Sequence, residues 1–278
     1  MEELVQKFNY HSHTTRCGHA DFDMTDEMYV EEAIEAGFKK IAFTDHMPFQ
    51  DRLTCEIGTR MDISEKRYYF SSIDYLKEKY KDKIIIENGF EIEFDNTQLS
   101  HIEKLRSEVS KIILGQHFII DIFGKRYYWD EMRLNGIDKE YALEQYEKSI
   151  NEALNRGLVD IIAHPDFFMR YDTFWGKKEE EISRKICEAA IKYDIPLEIN
   201  LNKIRMWRNK GYTDKGLIEY PSKEFWKLAT EYGNKVLFGA DVHAKKQYKE
   251  FNENVKVAKE KLGIEIVNKL NFVNQDLK

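Results

Sequence analysis

Apolar runs of strand length alternate with stretches of helical periodicity through most of the chain. The runs fall at about residues 7–13, 40–46, 83–93, 112–119, 159–165, 196–201 and 235–243. Apolar positions recur at helical spacing over about 25–36, 63–81, 97–110, 139–156, 179–194, 222–233 and 246–262. Local punctuation supports these boundaries. Gly37 is a C-terminal stop for the first helix. Asp62 and Glu65 stand at capping-box spacing before Phe70, Ile73 and Leu76, and Pro221-Ser222 opens the sixth helix. Seven strand–helix units without a Pro/Gly/Ser-rich linker predict one parallel α/β domain over 1–278. Its core runs from about 8 to 262, and the polar tail at 264–278 carries no assigned role.

Residues able to bind metal collect where these runs end. They are His11-Ser12-His13 with the following Arg16-Cys17-Gly18-His19, then Asp45-His46, Glu91, His117, His164-Pro165-Asp166 and Asp241-Val242-His243. Seven of the eight histidines are used in this way. An open sheet would gather ligands mainly at one switch point, whereas a closed barrel turns every strand end toward one mouth. The pattern therefore predicts a seven-unit, TIM-barrel-like fold with a metal site at the C-terminal ends of its strands.

Two-residue spacing puts His11 and His13 on one face of a strand, and Asp241 and His243 repeat that geometry on the last strand. Barrel closure would make the two strands neighbours. Glu91 follows Gly89 and is the expected carboxylate bridge between two cations, with Glu87 and Glu93 as competitors of the same parity. His117 and His164 add imidazoles from the fourth and fifth strands, and His19 and His46 form a further group near His243. Asp45 and Asp166 are expected as helix caps or as partners that orient imidazoles. Cys17 could serve a soft metal, but packing beneath its loop is the favoured reading, and His101 reads as a solvated helix residue.

Composition narrows the class of partner. A hydrophobic fraction of 42% with 13% aromatics describes a globular protein. No apolar run approaches ~20 residues, so no membrane span is expected. The N-terminus lacks a signal-peptide pattern, and three scattered cysteines (Cys17, Cys55, Cys187) argue against a disulfide framework, so cytoplasmic residence is expected. A formal charge of −7 without a basic stripe disfavours nucleic acid and favours a small substrate, with a local basic pocket still able to hold one phosphate; a homo-oligomer stays open. Two long connections are expected as walls or lids. Residues 120–138 contain Lys125-Arg126-Tyr127-Tyr128-Trp129, and 202–220 contain Arg205-Met206-Trp207-Arg208 and Gly211-Tyr212.

These motifs, spread over about residues 8–245, resemble the polymerase and histidinol phosphatase (PHP) superfamily. The length and the opening look most like its stand-alone histidinol-phosphate phosphatases. The resemblance implies a distorted (β/α)7 barrel and three divalent metal ions. His11, His13, Glu91 and Asp241 would hold the first; Glu91, His117 and His164 the second; His19, His46 and His243 the third. The donor types suit Zn, Mn or Fe. The implied activity is hydrolysis of L-histidinol phosphate to L-histidinol and phosphate in histidine biosynthesis, through a metal-bridging hydroxide. Glu91, Asp241 and His243 are the residues expected to act in the reaction itself. Arg170, Arg205 and Arg16 are the candidates for phosphate binding. Phe167, Phe168, Trp175 and Trp207 are candidate walls, and Asp121 is the candidate acid for the substrate amine. Competing readings are a phosphodiesterase or exonuclease of the same superfamily, an amidohydrolase-type hydrolase, and a metal-binding barrel without catalysis.

Overall fold

The computed structural model describes residues 3–50, 58–172, 174–209 and 220–273; Cys55, Gly211 and Tyr212 lie outside them. The strands are β1 (Phe8–Asn9), β2 (Lys40–Phe43), β3 (Ile85–Ile92), β4 (Lys111–Leu114), β5 (Phe118–Ile120), β6 (Arg126–Tyr128), β7 (Ile161–Ile162), β8 (Leu197–Asn200), β9 (Lys235–Gly239) and β10 (Asn271–Phe272). Eight of them form one parallel sheet in the order β1-β2-β3-β4-β7-β8-β9-β10, while β5 and β6 make a separate antiparallel hairpin.

The helices are α1 (Asp26–Ala36), α2 (Lys66–Tyr80), α3 (Leu99–Glu108), α4 (Trp129–Met132), α5 (Lys139–Asn155), α6 (Lys177–Lys192), α7 (Asn202–Asn209), α8 (Lys223–Tyr232), α9 (Phe251–Leu262) and α10 (Ile264–Val267). Their ends follow local chemistry. Thr25 accepts a hydrogen bond from the Met28 N–H to start α1, and Gly37 ends it at φ 99°. Asp62 and Glu65 form the expected capping box, on a short 3-10 turn that runs into α2. Among the described residues no helix is long and apolar enough to cross a membrane.

Alternation along the strands sorts the side chains. Ile41, Phe43, Ile86, Phe90, Ile92, Ile112, Leu114, Val236 and Phe238 pack in the large core under the helices. The alternate set, Phe8, Tyr10, Ala42, Ile113, Ile161, Ala163 and Leu237, forms a second, small cluster that fills the barrel interior. Glu91 and Glu198 have the interior parity, above that apolar plug.

Closure explains the distortion. At the top, the Val242 N–H donates to His11 O (3.2 Å) and the His13 N–H donates to Val242 O (2.8 Å), joining the first strand to the chain after β9. Lower down, side-chain amides replace backbone pairing. Gln6 Nε2 donates to Phe238 O (2.7 Å), the Phe238 N–H donates to Gln6 Oε1 (3.0 Å), and the Ala240 N–H donates to Asn9 Oδ1 (2.8 Å). The free edge of β9 near Lys235 is taken by β10, so part of the tail is an eighth strand rather than an unassigned appendage. The two long connections also carry structure: the first folds into β5, β6 and α4, and α7 occupies the start of the second.

Candidate metal centre

Glu91 stands at the centre of the barrel mouth, 1% exposed, with its two oxygens facing different groups. Oε2 lies 3.3 Å from His11 Nε2, 3.4 Å from His13 Nε2 and 3.1 Å from His46 Nδ1. Oε1 lies 3.0 Å from His164 Nε2 and 3.4 Å from His117 Nε2. Gly115 makes this position available, because a Cβ there would sit 1.9 Å from Oε1. Glu87 instead pairs with Lys40 (3.0 Å).

Asp241 completes the first group. Its Oδ1 is 3.4 Å from His11 Nε2 and 3.3 Å from His13 Nε2, and the two imidazole nitrogens are 3.1 Å apart. Four donors around a tetrahedral ion at ~2.05 Å would be roughly 3.3 Å apart, so these separations match the edges of such a site. Asn200 and Asn202 donate to Asp241 Oδ2 (3.2 and 2.9 Å), and Oδ1 is a buried oxygen without a hydrogen-bond partner. Asp241 (φ 49°) and His164 (φ 31°) both adopt left-handed backbone, a strain held where the ends of β9 and β7 turn into the mouth.

His19 and His243 face one another with Nε2 atoms 2.9 Å apart. Each uses Nδ1 toward a backbone carbonyl, Cys17 O and Asp241 O respectively, both at 3.0 Å. That arrangement makes Nδ1 the protonated nitrogen and aims two lone pairs at one point, a geometry that calls for a cation. His46 packs against His19 with ring centroids 5.3 Å apart, and His13 stacks on His243 at 4.1 Å. Cys17, fully buried, places its thiol with His19 and His243 in one donor cluster.

Electrostatics follow from burying so many ionisable groups together. Burial works against charge on His11, yet Glu198, Asp241 and Glu91 hold its pKa well above the usual value. His13, desolvated and beside His243, is pushed down to about 3. Burial opposes charge on Glu91 and Asp241 as well, but the surrounding imidazoles keep both well below the ordinary carboxylate range. His243 is raised to about 10 by Asp241 despite its burial. Burial would raise the Cys17 thiol, but hydrogen bonding to His19 and His243 brings it down to about 6. Without a cation the buried carboxylates are balanced by protons on His11 and His243, and a bound metal ion would displace those protons.

Outer partners orient the donors, and two of them escaped the sequence reading. Glu198 accepts from His11 Nδ1 (2.8 Å) and sits against Gly239, where a Cβ would come within 2.1 Å of its carboxyl carbon. An acidic residue inside the apolar β8 run, at interior parity, was the available signal. Glu93, considered only as a rival to Glu91, accepts from His117 Nδ1 (2.9 Å) and pairs with buried Arg60 (3.2 Å). Asp45 takes both the N–H and hydroxyl of Thr14 (2.6 and 2.7 Å) and lies 4.0 Å from His13 Nδ1. Asp166 orients no imidazole: it accepts from the Ser222 N–H (2.6 Å) and Trp226 Nε1 (3.1 Å), tying the loop after β7 to the start of α8.

The mouth opens into a cavity of about 610 Å³ lined by the histidine and carboxylate cluster and by Arg60, Tyr128, Asp130, Phe167, Arg170, Arg205 and Tyr220, among others. Several expectations need correction. Arg16 turns away from the cavity to Asp26 (2.8 Å), because Asp26 at the start of α1 is the nearer carboxylate. Asp121 is occupied by the β5–β6 turn, accepting from the Phe123 and Lys125 N–H groups (2.9 Å each). Asp130, paired with Arg170, lines the cavity instead. Of the four proposed walls only Phe167 lines it; Phe168 is buried against Tyr146, with Trp175 packed behind it, and Trp207 is set aside on α7. His101 is buried, with Nε2 on Pro48 O (2.9 Å).

Residues 9–202 match the model of the PHP domain. The chain belongs to the PHP family. A probable histidinol-phosphatase from Deinococcus radiodurans is 23% identical over 248 residues, covering 84% of this chain and 85% of that protein. The histidinol-phosphatase of Lactococcus lactis subsp. lactis is 28% identical over 204 residues, covering 70% and 72%. A solved structure of histidinol phosphate phosphatase from Lactococcus lactis, complexed with Zn, L-histidinol and phosphate, superposes with a TM-score of 0.64 at 20% identity, covering 91% of this chain and 94% of that one. These similarities agree with the parallel barrel.

Proposed function

We propose that this PHP-family chain is a phosphoric monoester hydrolase that converts L-histidinol phosphate to L-histidinol and phosphate, with three divalent ions held at the barrel mouth. The observation that carries this reading is the bridging posture of Glu91, with one oxygen toward His11 and His13 and the other toward His117 and His164. The first ion would rest on His11, His13, Glu91 and Asp241, the second on Glu91, His117 and His164, and the third on the group around His19, His46 and His243. Bound there, the ions would supply an activated water and neutralise charge on the phosphoryl group.

The residues of the chain set the rest of the reaction. Arg170 and Arg205 reach the cavity, and each has a buried Nε without a hydrogen-bond partner, which fits them to the phosphate oxygens. Phe167, Tyr220 and Tyr128 form aromatic walls suited to an imidazole ring, and Asp130 offers a carboxylate for an ammonium group. The similarity to histidinol-phosphatases along most of the chain supports this choice of substrate.

The test is steady-state hydrolysis of L-histidinol phosphate by metal-loaded protein, compared with other phosphomonoesters and with oligonucleotides. Metal-dependent turnover with histidinol phosphate preferred supports the reading. Full metal content without phosphomonoesterase activity overturns it, and preferential cleavage of oligonucleotides would favour an exonuclease. Replacing Arg170 or Arg205 with Ala is expected to raise KM by roughly tenfold or more through loss of a charge-assisted contact. Unchanged kinetics in both variants would remove them from the phosphate site.

A further inference from the structure

The third donor group, as His19, His46 and His243, contains only imidazoles and no carboxylate. The first group has Asp241 and a share of Glu91, and the second has the other share. A third dication a few ångströms away would then add two positive charges with no anion of its own. Cys17 supplies what is missing. Its sulfur lies within 4.8 Å of a ring nitrogen of both His19 and His243, and of a second cluster formed with His13 and Asp45. The thiol is fully buried and in no disulfide. In the same place, His13 Nδ1 is buried without a hydrogen-bond partner, and the two Nε2 atoms of His19 and His243 converge at 2.9 Å.

The local fold holds the sulfur there. Thr14 starts the Thr15–Cys17 turn and is clamped by Asp45 through its N–H and hydroxyl. Gly18 ends the turn at φ 80° and lies so close to Gly58 that a Cβ would come within 2.6 Å of the Gly58 Cα. The Cys17 carbonyl then accepts from His19 Nδ1, so one short turn sets both the thiol and the imidazole.

We propose that Cys17 is a thiolate ligand of the third ion, alongside His19 and His243. This rests on the three-ion reading above. The Cys17 thiol releases its proton to solvent as the metal–sulfur bond forms, with no change in oxidation state. A soft thiolate makes the third site favour zinc over manganese, whereas the oxygen-richer first site discriminates less.

Two measurements on the full chain decide it. Metal-stripped protein is titrated with Co(II), counting bound ions and recording the near-ultraviolet thiolate-to-cobalt charge-transfer band. Expected is a band that saturates with the third ion, persists in Cys55→Ser and disappears in Cys17→Ser. Zinc-edge X-ray absorption of the wild-type, zinc-loaded protein needs no variant; it should show about one sulfur for every three zinc ions at ~2.3 Å. Three bound ions with neither band nor zinc–sulfur scattering would overturn the proposal while leaving the three-ion reading intact. Binding of fewer than three ions, with no sulfur signal, would overturn both.

Discussion

Replacing Gly115 with Ala tests the central claim that Glu91 is held in a bridging position by an absent side chain. The backbone of Gly115 is not in the left-handed region, so alanine introduces no backbone strain and the effect is steric. Its Cβ would lie 1.9 Å from Glu91 Oε1, 2.7 Å from the carboxyl carbon and 2.9 Å from His117 Cε1. Restoring a contact of ~3.3 Å requires a shift of roughly 1.4 Å between the methyl and the oxygen. A metal–carboxylate bond is only ~2.0–2.2 Å long, so most of that shift must move Oε1 out of reach of an ion that it would share with His117 and His164. Misplacement by ~1 Å costs on the order of a hundredfold in rate. We therefore expect kcat/KM to fall by at least ~100-fold and the bound metal to drop by at least one equivalent. Overpacking should destabilise the metal-free protein by only about 1–3 kcal/mol, leaving it folded. The assay pairs steady-state kinetics with elemental analysis after gel filtration, and urea denaturation in chelator. A G115A protein with full metal content and turnover within threefold of wild type would refute the bridging geometry.

Two further predictions probe groups around the site. Replacing Glu198 with Gln removes the anion that fixes His11 Nδ1, and should weaken metal binding at the first group by ~10–100-fold; competition with a metal-binding dye measures this, and unchanged affinity would make Glu198 a structural residue only. Asp166 gives a pH signature: burial pushes its carboxyl up to about 7 from an ordinary 3.8. The folded state therefore holds that proton more tightly than the unfolded chain, so its contribution is fully present below about 4 and is lost as pH rises to about 7. Neutral Asn can still accept from Ser222 and Trp226, so Asp166→Asn should gain on wild type by up to about 4 kcal/mol between pH 4 and 8. Denaturation curves with the same difference at both pH values would contradict this.

Much of the site was legible because barrel topology turns a linear list into a ring. Strand-end positions of His11, His13, Glu91, His117, His164, Asp241 and His243 converge once adjacent strands are parallel, and position after Gly89, rather than the parity it shares with Glu87 and Glu93, favoured Glu91. The misreadings share a cause. Arg16 was assigned by its distance along the chain from His13, Asp121 by residue type on a long loop, and His101 by its polar neighbours, but their directions are set by which partner lies nearest in space: Asp26, the hairpin turn and Pro48 O.

The sequence by itself determined the seven core strand–helix units, the stop at Gly37, the cap at Asp62, and the set of imidazoles and carboxylates at the strand ends, because each depends on residue type and local spacing. Only the tertiary structure decided how the barrel closes and how the donors are shared. Side-chain amides of Gln6 and Asn9 stand in for strand pairing, and β10 takes the remaining edge of β9. The division of Glu91 between two groups, the support of His11 by Glu198, and the approach of Cys17 to His19 and His243 also emerge there. These depend on distances of a few ångströms between segments up to hundreds of residues apart, set by packing at the barrel mouth rather than by any local preference of the chain.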